Sequence, residues 1–402
     1  MTTILAGIEV LLLAALALLL VPLAVLTLQV VAAVWPGRRS EQSTALSSSS
    51  RPSIAVLMPA HDEAIGIAPV IAAVKAHLGP NDRLLVVADN CSDDTAGIAA
   101  RAGAEVVERF DASRRGKGYA LDFGVRHLAA HPPDTVVIVD ADCLVEGDAL
   151  GRLASQCAAT GLPAQALYLM HAPAGAGTRL RIAAFAWIVK NHVRALGFWR
   201  LGLPCQLMGT GMAFPWSTIR EAPLASGHIV EDLQLGLDLA AAGMPPRFCP
   251  AALVTSLFPT RTDGIDTQRT RWEHGHLGVI AKVGPHMLGT ALRRGDGRLA
   301  AMALDLCVPP LATLALALFV LLAASTLLAL AGVSLPLLLA GAMVALLVAV
   351  VGIAWLAFGR DAVDFSEMLL APLYAVRKVP MYMRMLRSRQ LQWVRTRRDG
   401  PG

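Results

Sequence analysis

Two carboxylates one residue apart, Asp140 and Asp142, follow directly on the apolar run Val136-Val137-Ile138-Val139. At the end of a buried strand they repel, and a hard divalent cation resolves the repulsion. Mg²⁺ and Mn²⁺ prefer carboxylate and phosphate oxygens, and Mg²⁺ characteristically takes one or two carboxylates together with substrate phosphates. The same residues also suit a loop and a helix cap, with Asp142 or Asp148 opening the next helix, so the pair alone leaves both readings open. Other clusters share this ambiguity. Pro59-Ala60-His61-Asp62-Glu63 closes one apolar run, and Asp89-Asn90-Cys91-Ser92-Asp93-Asp94-Thr95 closes another. Asn, Ser and Asp are turn and cap formers, although Asp89 directly after a buried strand is less easily explained that way. In Arg114-Arg115-Gly116-Lys117-Gly118 a Gly-flanked Lys opens a helix, which suits a diphosphate contact or a solvated loop. Glu231-Asp232 starts a helical stretch, where the macrodipole favours acids and where a general base is the functional alternative. Gln268, Arg271 and Trp272 share one helix face by i, i+3, i+4 spacing, in a site or as an interfacial anchor.

The elements that must position these residues alternate. Apolar β-type runs at 53–58, 83–88, 104–108 and 135–139 are interleaved with helical patterns at 65–78, 95–102 and 117–130. Strands alternating with such helices imply parallel pairing through right-handed crossovers, hence a Rossmann-like α/β sheet. Ligands sit at the carboxyl ends of the strands in such sheets, so the loops after Met58, Ala88 and Val139 should converge.

The remainder of the chain is a membrane composition. Of 402 residues 55% are hydrophobic and only 16% charged, which excludes disorder and argues against an ordinary soluble enzyme. From Val10 to Val34 there is no charge, longer than the ~20 residues that span a bilayer. The run is too long for a signal peptide, with no Lys or Arg before it and no small-residue cleavage site after it. A second apolar block, Leu306 to Phe358, is broken by Gly332-Val333-Ser334-Leu335-Pro336 and reads as a helical hairpin. Arg38 and Arg39 follow the first span, and nine Lys and Arg against four acids follow residue 359. Both basic regions fall on one side if there are three spans, which puts the middle domain in the cytoplasm. The tail Phe365 to Trp393 mixes Leu, Met, Tyr and Trp with Arg and suits the membrane interface, a fourth span over 369–385 being the alternative. Residues 179–203 combine apolar and basic side chains and read as a core helix or a bilayer-docking one. The boundaries expected are 1–36 for the first helix, 37–52 for a Ser-rich linker, 53–290 for the α/β domain, 303–359 for the hairpin and 360–402 for the tail. The net charge of +5 thus has a membrane explanation, and no aromatic-interleaved basic patch points to nucleic acid. Six Cys without CxxC or His-rich spacing exclude a zinc site and read as reduced packing residues.

Taken in order, the motifs resemble those of the family 2 glycosyltransferases of the GT-A fold. The likeness is to the membrane-bound branch with cellulose, hyaluronan and poly-N-acetylglucosamine synthases and ceramide glucosyltransferase. It rests on 56–63, 87–95, Gly116-Lys117-Gly118-Tyr119-Ala120-Leu121, Asp140-Ala141-Asp142, Met208-Gly209-Thr210-Gly211, Glu231-Asp232 and Gln268-Arg269-Thr270-Arg271-Trp272. The resemblance implies a GT-A domain that takes a nucleotide-diphosphate sugar, a UDP-sugar for preference. Pro59, Ala60, His61, Glu63, Asp89, Lys117, Asp140, Gln268 and Arg271 would bind the donor. Asp140 and Asp142 would hold Mg²⁺ or Mn²⁺, Gly209, Thr210, Glu231 and Trp272 would meet the acceptor, and Asp232 would be the catalytic base. Val230 stands before Glu231-Asp232 where many relatives have Thr. Three spans are few for a polymer-exporting channel, which favours one addition to a lipid-linked acceptor, such as a polyprenyl-diphosphate oligosaccharide, at the plasma membrane. A processive synthase and a membrane-tethered scaffold that binds a sugar nucleotide without turnover are the alternatives.

Overall fold

In the computed structural model the described residues are 2–36, 51–228, 230–259, 262–380 and 382–383, with the side chains of 2, 262–272 and 274 outside the description. The chain divides into two compact units, one of Met1–Pro36, Ala174–Gly202 and His276–Arg389, the other of Gly37–Pro173, Leu203–Gly275 and Gln390–Gly402.

The second unit is built on one eight-stranded mixed sheet of order β3-β2-β1-β4-β7-β6-β8-β5. Its strands are β1 (Ile54–Ala60), β2 (Arg83–Asp89), β3 (Glu105–Arg109), β4 (Thr135–Ile138), β5 (Leu144–Glu146), β6 (Ala164–His171), β7 (Met212–Pro215) and β8 (Arg247–Leu257). β1 to β4 pair in parallel, as the alternating pattern requires. β1 runs two residues beyond the sequence expectation, through Pro59, which pairs with Val87. The missing proline N–H costs no ladder bond to β4, because that pairing ends at Leu57↔Ile138. The helix Lys117–Leu128 lies over β1 and β2, and Gly124 permits it: a Cβ there would meet Leu57 Cδ1 at 2.4 Å. Leu57, Val87, Leu121, Ile138 and Phe214 are buried in this core. Burial of each such side chain stabilises by about 1.5–3 kcal/mol.

The far half of the sheet departs from the parallel expectation. β7 runs antiparallel to β4, with Ile138↔Met212, and β5 antiparallel to β8. The reversal has a functional result: residues just before Met212 come to lie beside residues just after Ile138, and the Gly211 N–H donates to the Ile138 carbonyl at 2.9 Å.

Among its described residues the first unit holds three helices long and apolar enough to cross a membrane: Thr3–Val34, Leu311–Leu330 and Leu335–Gly359, with mean hydropathies of 2.9, 2.5 and 2.8. The hairpin turns where the sequence places it, with Gly332 at φ +95° and Pro336 in the first turn of the second helix. The segment Ala174–Gly202 belongs to this unit, as helices Thr178–Ile188 and Arg194–Arg200 joined by a π-helical turn, Val189–Val193. Buried Arg194 donates to Asp305 Oδ1 at 2.7 Å and to Gln29 Oε1 at 3.2 Å, and Gln29 Nε2 donates to the same Asp305 oxygen at 2.6 Å. The pair is thus hydrogen-bonded as well as charge-compensated, the condition under which a buried ion pair is tolerated. After Gly359 the chain forms short helices, Phe365–Met368 and Ala371–Val376, and no fourth spanning helix among the described residues. Arg181 fixes the start of this tail through Asp364 at 2.6 Å and Glu367 at 2.8 Å. Phe365, Leu369, Leu373 and Val376 remain exposed.

Candidate functional site

The loops after β1 and β2 interlock. Asp62, at φ +54°, accepts the Ser92 N–H at 2.5 Å and the Asp93 N–H at 3.3 Å, while the Glu63 N–H donates to Thr95 Oγ1 at 2.8 Å. His61 Nδ1 donates to the Asp89 carbonyl at 2.6 Å, which brings Pro59, Ala60 and His61 beside the end of β2. Asp93 forms a local turn in this loop, accepting the Thr95 N–H at 3.1 Å. Asp89 does something different. Only 7% exposed, it accepts Arg109 Nη1 at 2.6 Å and Asn90 Nδ2 at 3.0 Å, both on Oδ1.

A second convergence forms after β4. The Asp140 N–H donates to Thr210 Oγ1 at 3.1 Å, and Lys117 Nζ, at the N-terminus of its helix, pairs with Asp140 and donates to the Gly209 carbonyl at 2.6 Å. Gly209 has φ +92°, and a Cβ there would meet Asp232 Oδ2 at 3.3 Å and Lys117 Nζ at 3.9 Å. Burial alone would lower the Lys117 ammonium, but Asp140, Glu231 and Asp232 outweigh it and push its pKa up. Burial, with Asp232 beside it, pushes the Glu231 carboxyl up, against the pull of Lys117. Thus Lys117, Asp140, Gly209, Thr210, Glu231 and Asp232 come together from four segments separated in sequence.

Ligand atoms of Asp140, Asp142 and Cys143 lie within 4.8 Å of one another. This donor set fits a divalent cation: two carboxylates supply hard oxygens, and the Lys117 ammonium beside Asp140 marks the place as favourable to positive charge. The Cys143 thiol donates to Asp142 Oδ1 at 3.4 Å, and burial keeps it protonated, its pKa raised. Asp62, Cys91 and Asp93 form a similar group, but its carboxylates are taken up by the backbone N–H groups of Ser92, Asp93, Ala64 and Thr95. Gln268, Arg271 and Trp272 lie on the helix Thr262–Arg294, and their side chains fall outside the described residues.

Two residues that the sequence reading passed over hold the site together. Gln165, fully buried on β6, donates to the Thr210 carbonyl at 2.9 Å and accepts the Met208 N–H at 2.9 Å, fixing the 208–210 turn. A lone amide in the apolar run 164–170 was its only signal. Arg109 is the other; it ends β3 as a buried charge.

Comparison with known proteins gives the family and the fold. The family model for glycosyl transferase family group 2 matches residues 135–358, and that for glycosyl transferase family 2 matches 55–162. The "Probable glycosyltransferase YdaM" of Bacillus subtilis is 28% identical over 252 residues, 58% of this chain and 57% of the relative. An uncharacterised glycosyltransferase of Mycobacterium tuberculosis, Rv0539, is 38% identical over 103 residues, 26% of this chain and 43% of the relative. The chain thus spans about half the length of these curated relatives. Among solved structures, the mannosyltransferase PcManGT from Pyrobaculum calidifontis, in complex with GDP-Man and Mn²⁺, is similar in fold. Its TM-score is 0.55 at 20% identity, covering 93% of this chain and 98% of that one. With a mixed GT-A-like sheet, and with a family model that covers more than half of its length, the chain belongs to glycosyl transferase family group 2.

Proposed function

We propose that this protein is an inverting hexosyltransferase that moves one sugar from a nucleoside-diphosphate sugar, a UDP-sugar for preference, to a lipid-linked acceptor in exopolysaccharide or glycolipid biosynthesis. The observation that carries the reading is the convergence of Lys117, Asp140 and the Glu231-Asp232 pair around Gly209. The donor class is supported by family membership and by the GDP-Man and Mn²⁺ of the similar mannosyltransferase.

Each residue then has a chemical task. Asp89 and the Pro59, Ala60, His61 and Glu63 loop hold the nucleoside. Lys117, Gln268 and Arg271 hold the diphosphate, and the Lys117 ammonium, kept charged by its acidic neighbours, meets the negative charge that develops on it as it leaves. Asp140 and Asp142 hold Mg²⁺ or Mn²⁺, which when bound neutralises the diphosphate as a Lewis acid. Gly209, Thr210, Glu231 and Trp272 receive the acceptor. The Asp232 carboxylate takes the proton of the attacking hydroxyl. One displacement with one base inverts the anomeric centre, so an α-linked donor gives a β-linkage.

The apolar helices support the acceptor assignment. Three of them are long enough to span a bilayer, and the exposed row Phe365, Leu369, Leu373 and Val376, with Arg377 and Lys378 next to it, suits the interface with anionic headgroups. The basic segments after the first and third helices support a cytoplasmic catalytic domain at the inner membrane. The test is mass spectrometry of the lipid fraction after membranes carrying the full chain are incubated with Mn²⁺ and a panel of UDP- and GDP-sugars. The expected product is a lipid heavier by one sugar. A polymer would contradict single addition, and nucleotide binding without any transfer would contradict the enzyme.

A further inference from the structure

Arg109 has no task in the reaction above, yet it is 8% exposed and both terminal nitrogens of its guanidinium are hydrogen-bonded. Nη1 donates to Asp89 Oδ1 at 2.6 Å. Nη2 donates to the Arg114 carbonyl at 2.8 Å and to Asp111 Oδ2 at 3.3 Å, and Cζ lies 5.6 Å from the centre of the Tyr119 ring. Asp111 in turn caps its own turn, accepting the N–H groups of Ser113 and Arg114, both at 3.0 Å. One side chain therefore ties the end of β2 to the 111–114 turn and to the helix that starts at Lys117.

The consequence for Asp89 is specific. Arg109 and Asn90 both bond Oδ1, whereas Oδ2 takes no hydrogen bond among the described residues. The carboxylate is held by one oxygen with the other left as an acceptor. We propose that Arg109 is a positioning residue for the nucleoside end of the donor: it fixes Asp89 so that Oδ2 receives a nucleoside donor group, a base N–H or a ribose hydroxyl. The inference rests on the nucleotide-sugar reading above. The planar fork presents separate nitrogens to Asp89 and to the 111–114 turn in one fixed geometry, which the compact ammonium of a lysine does not reproduce. Pre-set orientation strengthens binding by removing the ordering that a free carboxylate would undergo.

The test is calorimetric titration of the full chain in detergent with Mn²⁺, using UDP, GDP and inorganic diphosphate as separate probes. Arg109→Met should weaken the nucleoside diphosphate that the wild type binds by about 10–100-fold, the loss expected for a charge-assisted hydrogen bond. Inorganic diphosphate, which does not reach Asp89, should bind within about twofold of wild type. Arg109→Lys, which keeps the charge without the fork, should fall between. In an Asp89→Asn background Arg109→Met should add little, because the two residues act as a unit. Equal weakening of inorganic diphosphate, or a full additive effect on top of Asp89→Asn, would overturn the proposal. Nucleoside diphosphate binding by Arg109→Met equal to wild type overturns it alone. A wild type that binds inorganic diphosphate but neither UDP nor GDP overturns the nucleotide-sugar reading, and this proposal with it.

Discussion

Lys117 Nζ donates to the carbonyl oxygen of Gly209 at 2.6 Å while pairing with Asp140. One ammonium thereby joins the carboxylate pair after β4 to the turn that lies against Asp232. Lys117→Met should reduce kcat/KM by about 10²–10³-fold, the range for removing one preorganised electrostatic group. Lys117→Arg should recover part of the loss. Steady-state kinetics with matched thermal unfolding separates this from misfolding.

Asp142 lies with Asp140 and Cys143 in a group whose ligand atoms are within 4.8 Å of each other. Asp142→Ala should raise the Mn²⁺ concentration needed for half-maximal activity by at least about tenfold, a typical cost of losing a supporting group at a metal site. Metal titrations of activity check this. Unchanged activity without added metal would remove Asp142 from the metal site.

Gly211 has φ +64°, and a Cβ there would meet Ala166 Cβ at 2.8 Å and Val254 Cγ2 at 3.0 Å. Gly161 has nearly the same φ, +65°, with nothing within 4 Å. Gly161→Ala should therefore cost about 1 kcal/mol from backbone strain alone, and Gly211→Ala about 2–4 kcal/mol once the clash is added. Paired denaturant unfolding curves of the two variants measure the difference. Only Gly211→Ala should also lower activity, since the clash displaces the backbone whose N–H holds the 208–211 turn against β4.

Burial, with Lys190 and Arg194 nearby, lowers the His276 imidazole from 6.5 to about 3. Among the described residues its buried Nε2 has no hydrogen-bond partner. The folded state therefore resists a proton that the unfolded chain accepts below pH 6.5, so stability is full above that pH and falls as pH drops toward 3. Thermal unfolding from pH 7.5 to 5 should show a decline in Tm that is smaller in His276→Gln. An identical pH dependence in the variant would contradict it.

The parallel half of the sheet and the loops that end it were legible because their signals are local. Apolar runs, helical spacing and Asp-x-Asp each fit within a few residues. β5 and β7 were not, since strands of three and four residues carry no usable period. Without β7 the sequence gives no reason for Gly209 to lie beside Asp140. Arg109 and Gln165 were missed for a related reason: each acts on a partner 20 or more residues distant, Asp89 and Thr210, and no spacing marks such a pair. The turn after the first apolar helix of the hairpin was legible from Gly332 and Pro336, whose backbone effects are intrinsic to the residue.

The most direct test of the account is Asp232→Asn, assayed in parallel for transfer and for nucleoside diphosphate affinity in the full chain. The carboxylate that takes the acceptor proton is lost while the shape of the side chain is retained. Transfer should fall by at least about 10³-fold with nucleotide affinity nearly unchanged. Retained transfer, or an equal loss of transfer and affinity, would contradict the assignment of Asp232 as the base.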